Sequence, residues 1–284
     1  MADIKYLTKV ATQVRRDIIR MINLAKSGHP GGALSAADFL VALYFEIMKH
    51  SPENWDMEGK GQDVFFLSNG HISAAWYSVL ARSGYFPIKE LATFRRINSR
   101  LQGHPATAEG LPGVRVASGS LGQGLSVAIG MALAKKLNND NTLVFSLHGD
   151  GELQEGQIWE AAMFAGAKKL DNLIATVDFN DCQIEGHVHE VMDVRPLKDK
   201  WCSFGWKVLE TEGNDMEKIL ATLNEAKSLA FNGYPIVILM RTQMGKGVDF
   251  MLDQPGWHGK APSDEQAEKA LSQLEETLGD FPIE

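Results

Sequence analysis

The residues best suited to chemistry lie in glycine-rich breaks that directly follow apolar segments. The motif His148-Gly149-Asp150-Gly151 follows one such segment, and Asn180 follows the next one along the chain. Carboxylate and amide oxygens are hard ligands that Mg²⁺ or Ca²⁺ prefers, together with phosphate oxygens, carbonyl groups and water. Either motif alone would be just as typical of a simple turn. The two motifs are separated by about the length of one strand–helix–strand unit, and together they predict a site for a divalent cation and a phosphate group.

Histidines form a second group of candidates. Four of the eight histidines, His29, His71, His104 and His258, lie in breaks that are rich in glycine or proline. An imidazole titrates near neutral pH, so it can donate a hydrogen bond or transfer a proton. One histidine in a loop is usually only solvated, whereas four in such breaks indicate a polar site. For His148 we favour a structural role.

The apolar periodicity predicts elements that place these motifs together. Helices are predicted over residues 4–26, 35–48 (capped by Ser35), 71–84, 124–137, 155–168, 215–230 and 263–278, and strands over 63–67, 142–147, 173–178, 206–209 and 236–240. This alternation predicts an α/β fold, a parallel sheet flanked by helices on both faces. Ligands of such sheets bind at the carboxyl ends of the strands, where His71, Asp150 and Asn180 would meet. We predict a single domain over residues 1–284 with helical N-terminal and C-terminal extensions.

Composition excludes several classes of protein. The net charge of −8 argues against a general nucleic-acid surface, although Arg95, Arg96, Arg100 and Arg115 could form a local phosphate-binding patch; a solvated loop is the favoured interpretation. The sequence has no apolar signal core and no apolar run of membrane-spanning length, so no membrane association is expected. The two cysteines show no metal-ligand spacing, and we expect both to be reduced in a cytoplasmic protein.

The segment from Gly149-Asp150-Gly151 to Asn180 resembles the metal signature of thiamine-diphosphate enzymes. Further segments narrow the resemblance to the transketolase family: SGHPGG at 27–32, SNGH at 68–71, GHP at 103–105, GSLGQG at 119–124 and HGKAP at 258–262. The resemblance covers residues 27–262 in the family's order. It implies the thiamine-diphosphate-binding (diphosphate-domain) fold, with thiamine diphosphate and Mg²⁺ as cofactors; Ca²⁺ or Mn²⁺ could replace Mg²⁺.

The resemblance also implies roles for individual residues. Asp150, Asn180 and the main-chain carbonyl of Cys182 would bind the metal. His29, His104 and His258 would contact the substrate, His71 would contact both substrate and diphosphate, and Glu155 would link paired active sites at a subunit interface. The implied cofactor-binding residues are His71, Gly119, Ser120, Leu121, Gly149, Asp150, Gly151, Glu155, Asn180, Ile184 and His258. Ser120 stands where many transketolases carry proline, and Ile184 is of a type more often found in the core.

A transketolase needs a further domain, whose glutamate activates the aminopyrimidine ring of the cofactor, and no residue of this chain matches that glutamate. We therefore expect a separate C-terminal transketolase subunit in an α₂β₂ assembly, with self-association of this chain. We also expect the chain to end at a natural terminus rather than at a truncation. The reaction implied is transfer of a two-carbon ketol unit between sugar phosphates of the pentose phosphate pathway, from a donor such as xylulose 5-phosphate to an acceptor such as ribose 5-phosphate.

Three alternatives remain open at this stage. An enzyme resembling 1-deoxy-xylulose-5-phosphate synthase would share the fold and the Gly-Asp-Gly signature, but residues 68–73 look more like transketolase. The α subunit of a 2-oxo-acid dehydrogenase would not be expected to carry His29, His104 and His258 together. A cofactor-binding module without catalytic activity would leave these histidines without a purpose.

Overall fold

A five-stranded parallel sheet forms the centre of the computed structural model, which describes residues 2–283. Its strands are β1 (Val64–Leu67), β2 (Val144–Gly149), β3 (Leu173–Phe179), β6 (Lys207–Glu212) and β7 (Ile236–Arg241), in the order β1-β2-β3-β7-β6. A small antiparallel hairpin, β4 (Cys182–Gln183) and β5 (Gly186–His187), directly follows β3. The predicted α/β fold with a parallel sheet is confirmed.

Helices cover both faces of the sheet. They are α1 (Ile4–Ala25), α2 (Pro30–Ser35), α3 (Ala37–Ala42), α4 (Ser73–Arg82), α5 (Gly124–Leu137), α6 (Gly156–Ala167), α7 (Val188–Val191), α8 (Leu197–Ser203), α9 (Met216–Leu229) and α10 (Asp264–Gln273). Helices α1, α3, α4, α9 and α10 share one buried apolar cluster, and α5, α6 and α8 share the other. Within β1, Phe65 and Leu67 belong to the first cluster, while Val64 and Phe66 belong to the second. This alternation follows from the opposite directions of successive side chains along a strand, so the inner strands are buried on both faces along most of their length.

The prediction of one continuous helix over residues 35–48 is wrong, because the helical region begins earlier and is divided into shorter elements. α2 begins at Pro30 and ends at Ser35, and α3 and a wider π turn over Leu43–Ile47 follow it. Proline suits the first helical position because its missing N–H has no partner there in any case. The break at 27–32 therefore ends at Pro30, which places His29 directly before a helix.

Smaller differences occur elsewhere. The terminal helix predicted over 263–278 is shorter, because α10 is capped by Ser263 and ends at Gln273. The hairpin and the short helices α7 and α8 were not predicted, since each is too short to show a periodic pattern. The segment after α10 returns to α1, where Asp280 accepts hydrogen bonds from Arg16. Within residues 2–283, no helix is long and apolar enough to cross a lipid bilayer.

Candidate active site

A cavity of about 270 Å³ opens at the carboxyl ends of β1, β2 and β3. Most of the predicted cofactor and metal residues line it: His71, Leu121, Gly149, Asp150, Gly151, Glu155, Asn180, Cys182, Ile184 and His258. Of the remaining predicted residues, His29 and His104 adjoin the cavity through their rings, and Gly119 lies beside His104. Ser120 is exposed and is not among the described residues that line the cavity.

The loop after β2 presents a buried carboxylate. Asp150 is 1% exposed, and each of its oxygens accepts a backbone N–H, from Gly151 at 2.8 Å and from Asp181 at 2.6 Å. The bond from Asp181 holds the turn after β3 against Asp150. In that turn the Asn180 side chain donates to Asp178 at 2.9 Å and accepts from the Cys182 N–H at 3.0 Å. The three predicted metal-binding residues therefore lie in adjoining loops at one edge of the sheet.

The electrostatics of these loops suit a cation. Burial raises the pKa of Asp150 to about 8, and the nearby charge of Asp178 acts in the same direction. Burial also raises the pKa of Asp178 to about 6, although hydrogen bonds from Thr242, Ser35 and Asn180 oppose it. Two buried carboxyl groups in one another's field resist ionisation unless a positive charge lies between them. A divalent cation would supply that charge.

The four predicted histidines converge on one side of the cavity. The His29 ring centroid lies 5.2 Å from that of His71, 6.1 Å from that of His104 and 5.9 Å from that of His258. The His71 and His258 rings are 5.0 Å apart. These residues come from four separate breaks in the sequence, and the fold brings their rings together.

All four imidazoles are neutral at pH 7. Burial, followed by the proximity of the His258 imidazole, lowers the pKa of His29 to about 4, and burial holds the pKa of His71 well below its usual value. Burial and the neighbouring Arg95 guanidinium lower the pKa of His104. Burial lowers the pKa of His258 although Glu185 and the Cys182 carbonyl oppose it. A neutral imidazole offers both a donor and an acceptor to a sugar hydroxyl.

Ile184 and Glu155 both lie on the exposed side of the cavity. Ile184 is 61% exposed and lines the cavity, so its interpretation as a core residue is wrong. Glu155 is exposed at the start of α6 and faces the glycine-rich loop before α5, where a Cβ on Gly122 would lie 2.9 Å from the Glu155 Cβ. Gly122 has a φ of +84°, so both its conformation and its surroundings require glycine.

Sequence reasoning missed several polar residues of the cavity. Asn69, Glu152 and Asp178 all line it and all are buried. Burial would raise the pKa of Glu152, but the His148 imidazole, 3.8 Å from the carboxylate, and hydrogen bonds from the Ser68 hydroxyl and the Gly122 N–H outweigh burial and lower it. His148 is 1% exposed and bonds Ser146, which agrees with the structural role expected for it. The feature of the sequence that could have identified Asn69, Glu152 and Asp178 is a polar residue at or near the carboxyl end of a buried strand.

The segment from the end of β3 to α7 contains a second group of potential metal ligands that the sequence did not suggest. Asp181, His187 and His189 each offer one ligand atom, and these atoms lie within 4.8 Å of one another. The group is half-exposed, and the Asp181 carboxylate already bonds the His189 ring and its backbone N–H. It therefore differs from the buried Asp150 site in both exposure and ligand type.

The four arginines considered as a phosphate patch do not act as one group. Arg95 donates to Ser27 at 2.9 Å and to the Gly103 carbonyl at 3.3 Å, beside the histidines. Arg96 is exposed, Arg100 is paired with Glu90, and Arg115 lies over the Trp55 ring. Arg95 is thus the member that faces the site.

The residues at the cavity fit a metal-bound diphosphate cofactor. Among the described residues, the buried atoms Asn69 Oδ1, His29 Nδ1 and His258 Nδ1 have no hydrogen-bond partner. Buried polar atoms normally have one, and a polar ligand in the cavity could supply it. The oxygen donors of Asp150, Asn180 and the Cys182 carbonyl are of the type that Mg²⁺ binds.

Comparison with known proteins agrees with this geometry. Residues 7–280 match the family model described as transketolase, thiamine diphosphate binding domain. The chain is 38% identical over 271 residues to one subunit of the apulose-4-phosphate transketolase of Actinobacillus succinogenes, covering 95% of this chain and 96% of that protein. It is 40% identical over 267 residues to the 6-deoxy-6-sulfo-D-fructose transketolase subunit SqwG of a Clostridium species, covering 93% and 94%.

Solved structures give the same result. The transketolase of Campylobacter jejuni superposes with a TM-score of 0.90 at 34% identity, over 100% of this chain and 45% of that one. The chain thus spans less than half the length of such full-length transketolases. The resemblance inferred from the motifs is confirmed, and so are the thiamine-diphosphate-binding fold and the assignment to an enzyme family. This chain belongs to the family of transketolase thiamine diphosphate binding domains.

Proposed function

We propose that this chain is the N-terminal, cofactor-holding subunit of a split transketolase, which transfers a two-carbon ketol unit from a ketose to an aldose. The observation that carries the proposal is the convergence of four neutral histidines beside the buried Asp150 loop. Thiamine diphosphate supplies the nucleophilic carbon and the electron sink of the reaction when it is bound. The protein contributes binding, orientation and proton transfer.

In the proposed mechanism the two groups of side chains have separate tasks. Asp150, Asn180 and the Cys182 carbonyl would hold Mg²⁺, which would offset the charge of the diphosphate. His29, His104 and His258 donate hydrogen bonds to the sugar hydroxyls and exchange protons with them, and His71 reaches both sugar and diphosphate. Their lowered pKa values keep the imidazoles neutral at pH 7, so each ring can offer one donor and one acceptor to the sugar hydroxyls.

The rest of the predicted cofactor contacts come from the backbone and from one apolar side chain. The glycine-rich loop with Gly119, Ser120 and Leu121 is proposed to contact the aminopyrimidine ring mainly through its backbone. The exposed Ile184 at the cavity mouth offers an apolar contact to the cofactor. Glu155 is proposed to act across a subunit interface, which its exposed position at the start of α6 allows.

A partner subunit is supported by the relatives, since two of them are named as subunits and match this chain over nearly their whole length. Self-association is supported by apolar side chains on the outer faces of α5 and α6. Val127, Met163 and Phe164 are 38%, 55% and 42% exposed. Exposed apolar patches of this kind mark protein interfaces. We therefore propose two copies of this chain joined through α5 and α6, each with one C-terminal subunit, in an α₂β₂ assembly.

The substrates are proposed as a class. The names of the relatives specify apulose 4-phosphate and 6-deoxy-6-sulfo-D-fructose, which share a ketose and a terminal anion. Arg95, beside His104, is placed to attract such an anion. Xylulose 5-phosphate belongs to this class. As donor, with ribose 5-phosphate as acceptor, it would place the protein in the pentose phosphate pathway.

We also propose a cytoplasmic location and a single domain. A cytoplasmic location is supported by Cys182 and Cys202, which are both free thiols. A single domain is supported by the central sheet and by the contacts of Gln13, Arg16 and Arg20 with the segment at 280–281.

A two-carbon transfer assay tests the proposal. Xylulose 5-phosphate, and then each relative's ketose, serves as donor with ribose 5-phosphate, thiamine diphosphate and Mg²⁺. The chain is assayed alone and with a C-terminal transketolase subunit from the same genome. We expect activity only in the mixture, and we expect Asp150→Ala to abolish metal-dependent cofactor binding. Activity of the chain alone would refute the need for a partner, and normal cofactor binding by the variant would refute the metal assignment.

A further inference from the structure

The side chain of Glu152 forms a buried part of the cavity wall, where it joins three separate segments of the site. The residue belongs to the tight 3₁₀ turn over Gly151–Gln154, directly after the Asp150 loop, and its side chain is 1% exposed. A charged side chain is rarely buried so completely unless several donors compensate for the loss of water.

The donors come from the ends of two strands and from the glycine-rich loop. One carboxylate oxygen accepts the Gly122 N–H at 2.8 Å and the Ser68 hydroxyl, and the other accepts the Gly149 N–H at 3.1 Å. Ser68 Oγ in turn accepts the Gly124 N–H at 3.1 Å. The carboxylate therefore connects the end of β1, the loop that opens α5 and the end of β2.

These bonds require a carboxylate and reject even its neutral isostere. Each of the two oxygens receives a backbone N–H, and a backbone N–H cannot become an acceptor. A glutamine amide has only one oxygen, so either orientation would point its NH₂ group at the N–H of Gly122 or of Gly149. One buried donor would then lose its partner, at a cost larger than that of an ordinary lost hydrogen bond.

We propose that Glu152 is a positioning residue that fixes the glycine-rich loop at 119–124 relative to the metal-binding loop at 149–151. The inference rests on the proposed function, in which the first loop meets the aminopyrimidine ring and the second meets the metal and diphosphate. Glu152 sets the distance between the two ends of the cofactor without touching the reacting atoms. The packing is tight in this region, since a Cβ on Gly124 would lie 2.4 Å from the Ser68 Cβ.

The test compares Glu152→Gln with Glu217→Gln, which makes the same chemical change on the exposed surface of α9. Hydrogen exchange of the full-length chain without cofactor is measured first. We expect the amides of Gly122 and Gly149 to exchange at least about tenfold faster in Glu152→Gln, with strand β7 unchanged. Unchanged exchange in both loops would overturn the inference.

Calorimetric titration of the full assembly with thiamine diphosphate and Mg²⁺ is measured second. We expect Glu152→Gln to weaken binding by about 10- to 100-fold, as for other residues that hold metal ligands in place. Wild-type affinity in this variant, with Glu217→Gln also unchanged, would overturn the inference. If the wild-type assembly itself bound no cofactor, the proposed function would be wrong. The hydrogen-exchange result would still test whether Glu152 holds the two loops together.

A second variant covers the case in which Glu152→Gln does not fold. Ser68→Ala removes the hydroxyl that bridges Glu152 and Gly124 but leaves both backbone donors of the carboxylate in place. We expect faster exchange at 122–124 and little change at 149. Equal acceleration over the whole chain would mean that the network supports the fold in general, and the positioning role would be rejected.

Discussion

The raised pKa of Asp150 predicts that cation binding is linked to the release of a proton. Asp150 is 1% exposed and its pKa is raised to about 8 by burial and by the charge of Asp178. Only the carboxylate form can bind a metal, so the cation must displace a proton from most molecules at pH 7. A pKa of about 8 leaves about one tenth of the free sites ionised at pH 7 and about nine tenths at pH 9.

The apparent affinity for Mg²⁺ should therefore rise about tenfold between pH 7 and pH 9, which corresponds to about 1.4 kcal/mol. The measurement is a Mg²⁺ titration of the assembly at saturating thiamine diphosphate, followed by calorimetry in buffers of different ionisation enthalpy. At pH 7 it should report release of about one proton for each ion bound. A phosphate group titrates near pH 6, so the cofactor itself contributes little in this pH range.

One variant separates this site from the group formed by Asp181, His187 and His189. His189→Ala removes a ligand from that group but leaves Asp150 unchanged, so it should keep the full pH dependence. A flat affinity between pH 7 and pH 9 in the wild type, with no proton released, would show that Asp150 is already ionised. Burial would then not raise the pKa of Asp150.

Three further predictions concern assembly and stability. Phe164→Glu places a charge on the exposed apolar face of α6 and should shift the chain towards a monomer in sedimentation experiments, whereas Lys218→Glu on α9 should leave the association unchanged. Arg82→Met leaves the buried carboxylate of Asp17 without its ion pair and should lower the free energy of unfolding in urea by about 3–5 kcal/mol; a change below about 1 kcal/mol would contradict this. The pKa of His29 is lowered to about 4, so the unfolded chain binds a proton at higher pH than the folded one, and stability is lost as pH falls from about 6.5 towards 4. His29→Asn cannot titrate and should lose less thermal stability than the wild type between pH 7 and pH 5; equal losses would argue against a neutral, buried His29.

The sequence was most informative where one segment contains its own pattern. α5 was predicted with the ends that the structure shows, and the predicted end of β3 differs by one residue only, because each is a mostly apolar segment with clear breaks on both sides. The prediction was wrong over residues 27–48. Glycine and proline suggested that a break extends to residue 32, but helix α2 begins within that break, at Pro30. Ser35 looked like a helix cap, but its hydroxyl instead bonds the buried Asp178 carboxylate from a distant strand.

For the candidate site, residue type identified the members whose chemistry is unusual in a loop. The four histidines and Asp150 could be selected from the sequence because imidazoles and carboxylates in glycine-rich breaks are rarely needed for folding alone. Ile184 was misjudged because apolar type predicts burial, whereas its place on the hairpin leaves it exposed at the cavity mouth. Glu152 was overlooked because an acidic residue in a turn usually faces water.

The amino-acid pattern alone was sufficient to predict the alternation of strands and helices, the residues able to bind a cation or move a proton, and the family. The protonation state of those residues and the identity of their hydrogen-bond partners could be learned only from the tertiary structure. A pKa depends on burial and on charges from distant segments, as for Asp150 and Asp178, and a local pattern contains neither. In the same way, the carboxylate of Glu152 acquired its role only when parallel strands brought the amides of Gly122 and Gly149 to its two oxygens.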